Sequence, residues 1–331
     1  MLAPIAWRVP PRHYGPWEQF ASLLTEGLIA RGVEVTLFAT ADSITTAELQ
    51  AVAPTGYAED PSLDARVWET LHIANLFEQA SDFDLIHNSL DFVPLAFSRL
   101  VDNPIVTTIH GFASDATLPA YLEYADRVHY VAISEADRHP ALAYAAIIHH
   151  GIDMTAFEVG PGGGPLVFFG RIHPDKGTAA AIEVAMRLGS PLLIAGIIHD
   201  QSYFDSMVAP HVDGERVVYL GSVGPSERQR ILGNANVLLH LIDFDEPFGF
   251  SVVEAMACGT PVVAYPRGSM PELIQAGVNG YLVESPAEAT EAVKALAGID
   301  RHQVRASVAE RFDATRMVGD YLTLYQRILQ E

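Results

Sequence analysis

The chain has 331 residues, 49% of them hydrophobic, and a formal net charge of −21 from 20 basic and 41 acidic side chains. That length and apolar content suffice for two domains with separate cores, while the charge disfavours nucleic acid and anionic lipid surfaces as general partners. No apolar run reaches the roughly 18 residues of a membrane span and no basic-then-apolar leader opens the chain, so a cytoplasmic location is expected. The single cysteine, Cys258, excludes an internal disulfide and reads as a small core residue in a reducing compartment. Residues 1–160 carry 7 arginines, no lysine and 21 acids, against 13 basic and 20 acidic residues over 161–331.

In chain order, the opening Met1-Leu-Ala-Pro-Ile is short for a first strand, which is therefore either stubby or cut off by a truncated start. Tyr14-Gly15-Pro16-Trp17-Glu18 follows. Gly15 allows close backbone approach, Pro16 suits the first turn of a helix but offers no N–H, and Glu18 falls near that helix's positive end. Short apolar runs then predict strands at Val33–Thr40, Leu85–His87, Ile105–Ile109, Val128–Ile133, Leu166–Gly170, Pro191–Gly196, Val217–Leu220, Val237–Leu241 and Val262–Tyr265. Helical patterns lie between them, so the fold class is α/β with doubly wound parallel sheets. The Gly/Pro-rich segment Val159–Pro165 reads as a flexible connector. It separates two Rossmann-like domains, 1–160 and 161–311, whose sheets are expected to turn their carboxyl ends to a central cleft. Over 312–331 the apolar residues Met317, Tyr321, Leu324, Tyr325 and Ile328 have helical spacing.

Residues suited to chemistry concentrate at expected strand ends. His110 follows the strand Ile105–Ile109. In Phe169-Gly170-Arg171-Ile-His-Pro-Asp-Lys176-Gly177, a strand-to-helix loop presents two cations five positions apart, a spacing that can flank a diphosphate. Glu246 and Glu254 stand eight positions apart where a loop becomes a helix ended by Gly259. Both can face a pocket at that helix N-terminus, and backbone N–H groups near Phe248, Gly249 and Phe250 can receive ligand oxygens. Asp243-Phe-Asp245 imitates a metal-binding Asp-x-Asp element but fits a chance of acidic composition, so no metal is expected. His149-His150 reads as structural, since adjacent residues of a strand point apart.

Taken together, the Gly15 loop, His110-Gly111-Phe112, Phe169-Gly-Arg171 with Lys176-Gly177, Glu246-x7-Glu254 and Cys258-Gly-Thr-Pro-Val-Val resemble the retaining glycosyltransferases of family four, which have the GT-B fold. The resemblance covers essentially the whole chain. It implies a nucleoside-diphosphate-sugar donor held mainly by the second domain, an acceptor held mainly by the first, and a C-terminal helix that crosses back onto the first. It further implies that Gly170, Arg171 and Lys176 meet the donor diphosphate, with the two cations neutralising it as it leaves. Glu246 would contact sugar hydroxyls, Glu254 the ribose and Val223 the nucleobase, with His110 beside the transferred sugar. One departure is Pro16, which replaces an N–H that family members offer in the first loop.

The expected function is transfer of a hexose from a UDP- or GDP-sugar to a hydroxyl acceptor with an α-linkage, with no cofactor. The weak basicity of residues 1–160 favours a soluble acceptor. Alternatives of the same architecture are a nucleotide-sugar epimerase, a phosphorylase, for which Lys176 and Lys294 are the only lysines, and a non-catalytic sugar- or nucleotide-binding protein. A dinucleotide oxidoreductase lacks its Gly-x-Gly-x-x-Gly.

Overall fold

The computed structural model describes residues 1–331. The chain divides into two compact units, Met1–Gly151 with Ala314–Glu331, and Ile152–Asp313.

The first unit contains α1 (Pro16–Ile29), β1 (Thr36–Phe38), β2 (Glu48–Gln50), α2 (Ala65–Glu78), β3 (Ile86–Asn88), β4 (Ile105–Ile109), α3 (Leu118–Glu123), β5 (Val128–Ala132) and β6 (Tyr144–Ile147). β1 and β2 pair in parallel, as do β3, β4, β5 and β6 in that order. The first strand position is held by Leu2, which bridges Phe38 on one side and Asn88 on the other. Four backbone hydrogen bonds fasten it: Leu2 N–H to His87, Ala3 N–H to Phe38, Phe38 N–H to Met1 and Ser89 N–H to Leu2. Helices cover both faces of such a sheet, so β4 is buried along all five residues and reads as an unbroken run rather than an alternating one.

The second unit runs β7 (Leu166–Phe169), α4 (Thr178–Leu188), β8 (Leu192–Ala195), α5 (Gln201–Tyr203), β9 (Val217–Gly221), α6 (Pro225–Asn234), β10 (Val237–His240), α7 (Phe250–Ala257), β11 (Val262–Ala264), α8 (Met270–Leu273), β12 (Gly280–Leu282), α9 (Pro286–Ala295) and α10 (Arg301–Phe312). Its six parallel strands lie in the order β12-β11-β10-β7-β8-β9. The order reverses beside β7, so the loops after β7 and β10 flank a topological switch point, where open α/β sheets bind ligands. The last helix, α11 (Ala314–Ile328), returns to the first unit. There its stripe of Met317, Val318, Tyr321, Leu324 and Ile328 packs with Phe20, Leu24 and Leu28 of α1.

The Gly/Pro-rich segment is not a flexible connector. The division falls at Gly151, and residues 159–165 belong to the second unit. Gly160, Gly162 and Gly164 donate their N–H groups to the carbonyls of Cys258, Gly233 and Asn234, and Arg301 Nε donates to Gly160 O at 2.9 Å. The backbone is strapped down because the neighbouring helix ends present unsatisfied carbonyls for it to cap. Cys258 is fully buried, and burial pushes its thiol up to about 12, as expected of a core residue.

Candidate functional site

The loop after β7 is built around Gly177. Its φ of +74° and the 1.8 Å that would separate a Cβ from Leu241 O admit only glycine there. That contact brings the Arg171–Lys176 loop against the end of β10, and Asp243 N–H donates to Asp175 O across the same seam at 2.7 Å. Lys176 Nζ consequently reaches Glu246 Oε2 at 3.2 Å and lies 4.0 Å above the ring of Phe244. His240, buried at the end of β10, places Nε2 3.7 Å from the same carboxylate oxygen, beyond hydrogen-bond reach. Burial alone would raise the Glu246 pKa, but His240 and Lys176 outweigh it and hold the group below the ordinary carboxylate value.

Glu246 is fixed through its backbone as well. Its carbonyl accepts from Ser269 N–H at 2.8 Å, and Ser269 Oγ donates to Phe248 O at 2.7 Å. A Cβ on Gly268 would lie 2.3 Å from Glu246 N and O, so the two loops touch backbone to backbone. Gly249 then starts α7, whose first bonds run from Val252 and Val253 N–H to Gly249 O, leaving the N–H groups of Gly249 and Ser251 ahead of the helical ladder. The rings of Phe248 and Phe250 meet edge to face at 5.1 Å.

Glu254, one turn into α7, is buried and accepts from Arg228 Nη1 at 2.8 Å. Burial raises its pKa and Arg228 opposes the rise without cancelling it. Arg228 comes from α6 and also packs 5.3 Å from the ring of Phe169, at the end of β7. Val223 is buried in the turn between β9 and α6. Gly170 donates its N–H to Ala195 O at 3.0 Å, holding the end of β7 to β8. The Arg171 side chain is half-buried and makes no hydrogen bond or ion pair. The acids of the Asp-x-Asp imitation serve the loop itself: Asp243 pairs with Arg267 at 3.3 Å and Asp245 accepts from Gly268 N–H at 3.1 Å.

Gly15 and His110 belong to the first unit. His110 follows β4, stacked on Trp17 with ring centroids 5.2 Å apart and on His150 at 5.1 Å, and met edge-on by Phe20 at 4.8 Å. Its Nδ1 lies 3.2 Å from His150 Nε2, and its buried Nε2 has no hydrogen-bond partner. Burial drives the His110 pKa down to about 3, and that of His150 well down too, so both rings are neutral near pH 7. Gly15 is the N-cap of α1 and Pro16 its first residue. Beneath Gly15 lies the buried carboxyl of Glu18, which accepts from Trp7 N–H at 3.2 Å and is pushed up to about 7 by burial.

Two family models match this chain: one described as glycosyl transferases group 1 over residues 161–307, the other as glycosyltransferase family 4 over residues 18–156. Residues 161–307 thus resemble the group 1 glycosyltransferases, and residues 18–156 resemble glycosyltransferase family 4. A similar relative is the N-acetyl-alpha-D-glucosaminyl L-malate synthase of Bacillus anthracis, 33% identical over 37% of this chain and 33% of its own length. A D-inositol 3-phosphate glycosyltransferase of Catenulispora acidiphila is 28% identical over 67% of this chain and 66% of its own length. The chain thus spans from about a third to about two thirds of these curated relatives. Among solved structures, Anabaena HepE in complex with UDP-glucose superposes with a TM-score of 0.72 at 19% identity, covering 92% of this chain and 95% of that one. The fold is that of the GT-B glycosyltransferases.

The second unit brings Lys176, Glu246 and the Phe248–Phe250 turn together and sets Glu254 on the adjoining helix. Sequence reasoning missed Arg228, which holds Glu254, His240, which lies near Glu246, and His150, which was read as structural yet backs His110. His150 carried a usable signal: it stands, like His110, just beyond a strand of the same parallel sheet. Arg228 carried none, being one polar residue of a polar helix. No helix of the chain is long and apolar enough to cross a membrane.

Proposed function

We propose that this protein is a glycosyltransferase that moves a hexose from a UDP- or GDP-linked donor to a hydroxyl acceptor, with retention of the α-configuration and without a metal. The observation that carries the reading is the Lys176–Glu246 pair at the switch point of the second sheet, beside the unpartnered Arg171. The donor's diphosphate supplies the anion that this loop lacks, and UDP-glucose in the HepE structure supports a nucleotide-sugar donor.

Breaking the bond between the anomeric carbon and the phosphate oxygen builds negative charge on the leaving diphosphate and positive charge on the sugar ring. Lys176, tethered to Glu246, is a fixed cation for the first, which lowers the barrier because it need not reorganise, and Arg171 adds a second positive charge. Glu246 keeps its charge, accepts sugar hydroxyls and tethers Lys176. Glu254 accepts from the ribose while Arg228 sets its rotamer, and Val223 borders the base. His110 meets a sugar hydroxyl as a neutral imidazole, able to donate or accept but not to repel the sugar's developing positive charge. The acceptor hydroxyl attacks from the face that the diphosphate leaves, and its proton passes to a phosphate oxygen, so no protein base is needed. We place the reaction in the cytoplasm and the acceptor in solution.

Thermal shift against UDP-, GDP- and ADP-sugars, with and without EDTA, tests the reading. One nucleotide should raise the melting temperature of the wild type regardless of EDTA, and the shift should vanish in Arg171→Ala. No shift with any nucleotide overturns it.

A further inference from the structure

We propose that Arg8 binds an oxyanion, a phosphate or a carboxylate, carried by the acceptor, so that the acceptor is an acidic hydroxyl compound rather than a neutral sugar. The proposal rests on the transferase reading above and names the acceptor class.

Of the 18 arginines, four have a side chain with no hydrogen bond or ion pair: Arg8, Arg66, Arg171 and Arg216. Arg66 and Arg216 are exposed, where solvent can meet them, whereas Arg8 and Arg171 are half-buried. Arg8 Nε is wholly enclosed and still has no acceptor. A desolvated donor left unpaired costs free energy, and a chain with 41 acids has ample means to satisfy it. The nearby acids are engaged elsewhere. Glu59 accepts from the backbone N–H of Arg8 at 3.2 Å and pairs with Arg12, which also holds Asp42 at 3.0 Å. Glu18 accepts from Trp7 N–H, and its burial favours the uncharged form.

The segment is rigid, as a binding loop should be. Trp7, Arg8 and Val9 donate consecutive N–H groups to Glu18, Glu59 and Ser43, while Ile5 and Ala6 carbonyls accept from Tyr57 and Ala58. It leaves the sheet at the carboxyl end of the strand position held by Leu2, the same edge at which His110 leaves β4. A planar guanidinium, unpaired within a half that carries 7 arginines against 21 acids, suits a two-oxygen anion and fits poorly with an uncharged ligand.

The test uses the full chain with UDP-glucose, UDP-N-acetylglucosamine and GDP-mannose as donors. Acceptors are offered in pairs: myo-inositol 1-phosphate with myo-inositol, glucose 6-phosphate with glucose, and L-malate with its diamide. Mass spectrometry reads the product, and calorimetric titration reads donor affinity. The expected result is transfer to a charged member and not to its neutral twin. Arg8→Gln should raise the KM for that acceptor about tenfold or more, the loss of one charged hydrogen bond, with donor affinity unchanged. Arg8→Lys should recover part of the loss. The phosphate and carboxylate arms identify the anion. Transfer to neutral acceptors as readily as to charged ones, transfer to no charged compound, or an unchanged KM in Arg8→Gln overturns the proposal. A wild-type chain that binds no nucleotide sugar instead overturns the transferase reading on which it rests, and the titration shows this separately.

Discussion

At the carboxyl edge of the second unit's sheet the carboxylates meet cations: the partly buried Glu246 is held by Lys176, with His240 3.7 Å away, and the buried Glu254 by Arg228. At the same edge of the first unit, Glu18 meets backbone N–H groups and no cation, and His110 lies among aromatic rings beside a second imidazole. The ion pairs favour the charged form, outweighing burial at Glu246 and opposing it in part at Glu254, whereas burial without a counter-ion favours the neutral form of the second kind. In the reaction proposed above, the charged set of the second unit would answer a leaving diphosphate, and the neutral set of the first suits hydrogen bonds to hydroxyls.

Removing the ammonium should have the largest effect. Lys176→Ala is expected to lower kcat about 100-fold or more, the scale seen when one preorganised charge-stabilising group is deleted. Steady-state kinetics check this, and an unchanged kcat would remove Lys176 from the transition state. Arg228→Ala strands Glu254 in a buried position, and urea unfolding should show a loss of about 3 kcal/mol together with weaker donor binding. Changing both partners to leucine should restore stability but not binding, which separates the structural share of the pair from the ligand's.

The first unit should respond to pH in two opposite ways. Glu18 has its folded pKa raised from 4.5 to about 7. The stability it contributes is complete below pH 4.5 and is lost as pH rises through about 7, to a limit of about 3 kcal/mol. His110 has its pKa lowered to about 3, so its contribution is complete above the ordinary histidine value near 6.5 and fades as pH falls toward 3. Urea midpoints between pH 4 and 8 should flatten on the alkaline side in Glu18→Gln and on the acid side in His110→Asn. An alkaline limb that persists in Glu18→Gln would place the titrating group elsewhere. The smallest effect belongs to the exposed Arg187–Glu183 pair on α4, where Arg187→Ala should change stability by less than about 0.5 kcal/mol.

Much of the fold was legible because parallel strands buried on both faces are written as apolar runs. β4 coincides with its run, and β5, β7, β8, β9, β10 and β11 fall within a residue or two of theirs. Three strands escaped. Glu48-Leu-Gln50 and Tyr144-Ala-Ala-Ile147 sit at sheet edges without full burial, and Gly280-Tyr-Leu282 opens on the residue least suited to a strand. In the site, Lys176 and Glu246 were legible because each stands at a strand-to-helix turn. The Arg228–Glu254 pair was not, since it joins two helices 26 residues apart through tertiary packing alone. His240 was hidden for the opposite reason, as the last letter of an apolar strand, Val237-Leu-Leu-His240.

The return of α11 to the first unit gives the chain an order of assembly on the ribosome. The second unit is continuous over Ile152–Asp313 and can fold once that stretch has emerged. The first unit, although synthesised earlier, lacks Met317, Tyr321 and Leu324 until the final helix appears, and those residues cover Phe20, Leu24 and Val106. The nascent chain therefore holds an apolar face open through the whole synthesis of its second half, and the usual sequence in which the amino-terminal domain is finished first is reversed. Loss of α11 should accordingly expose that face and leave the second unit able to fold.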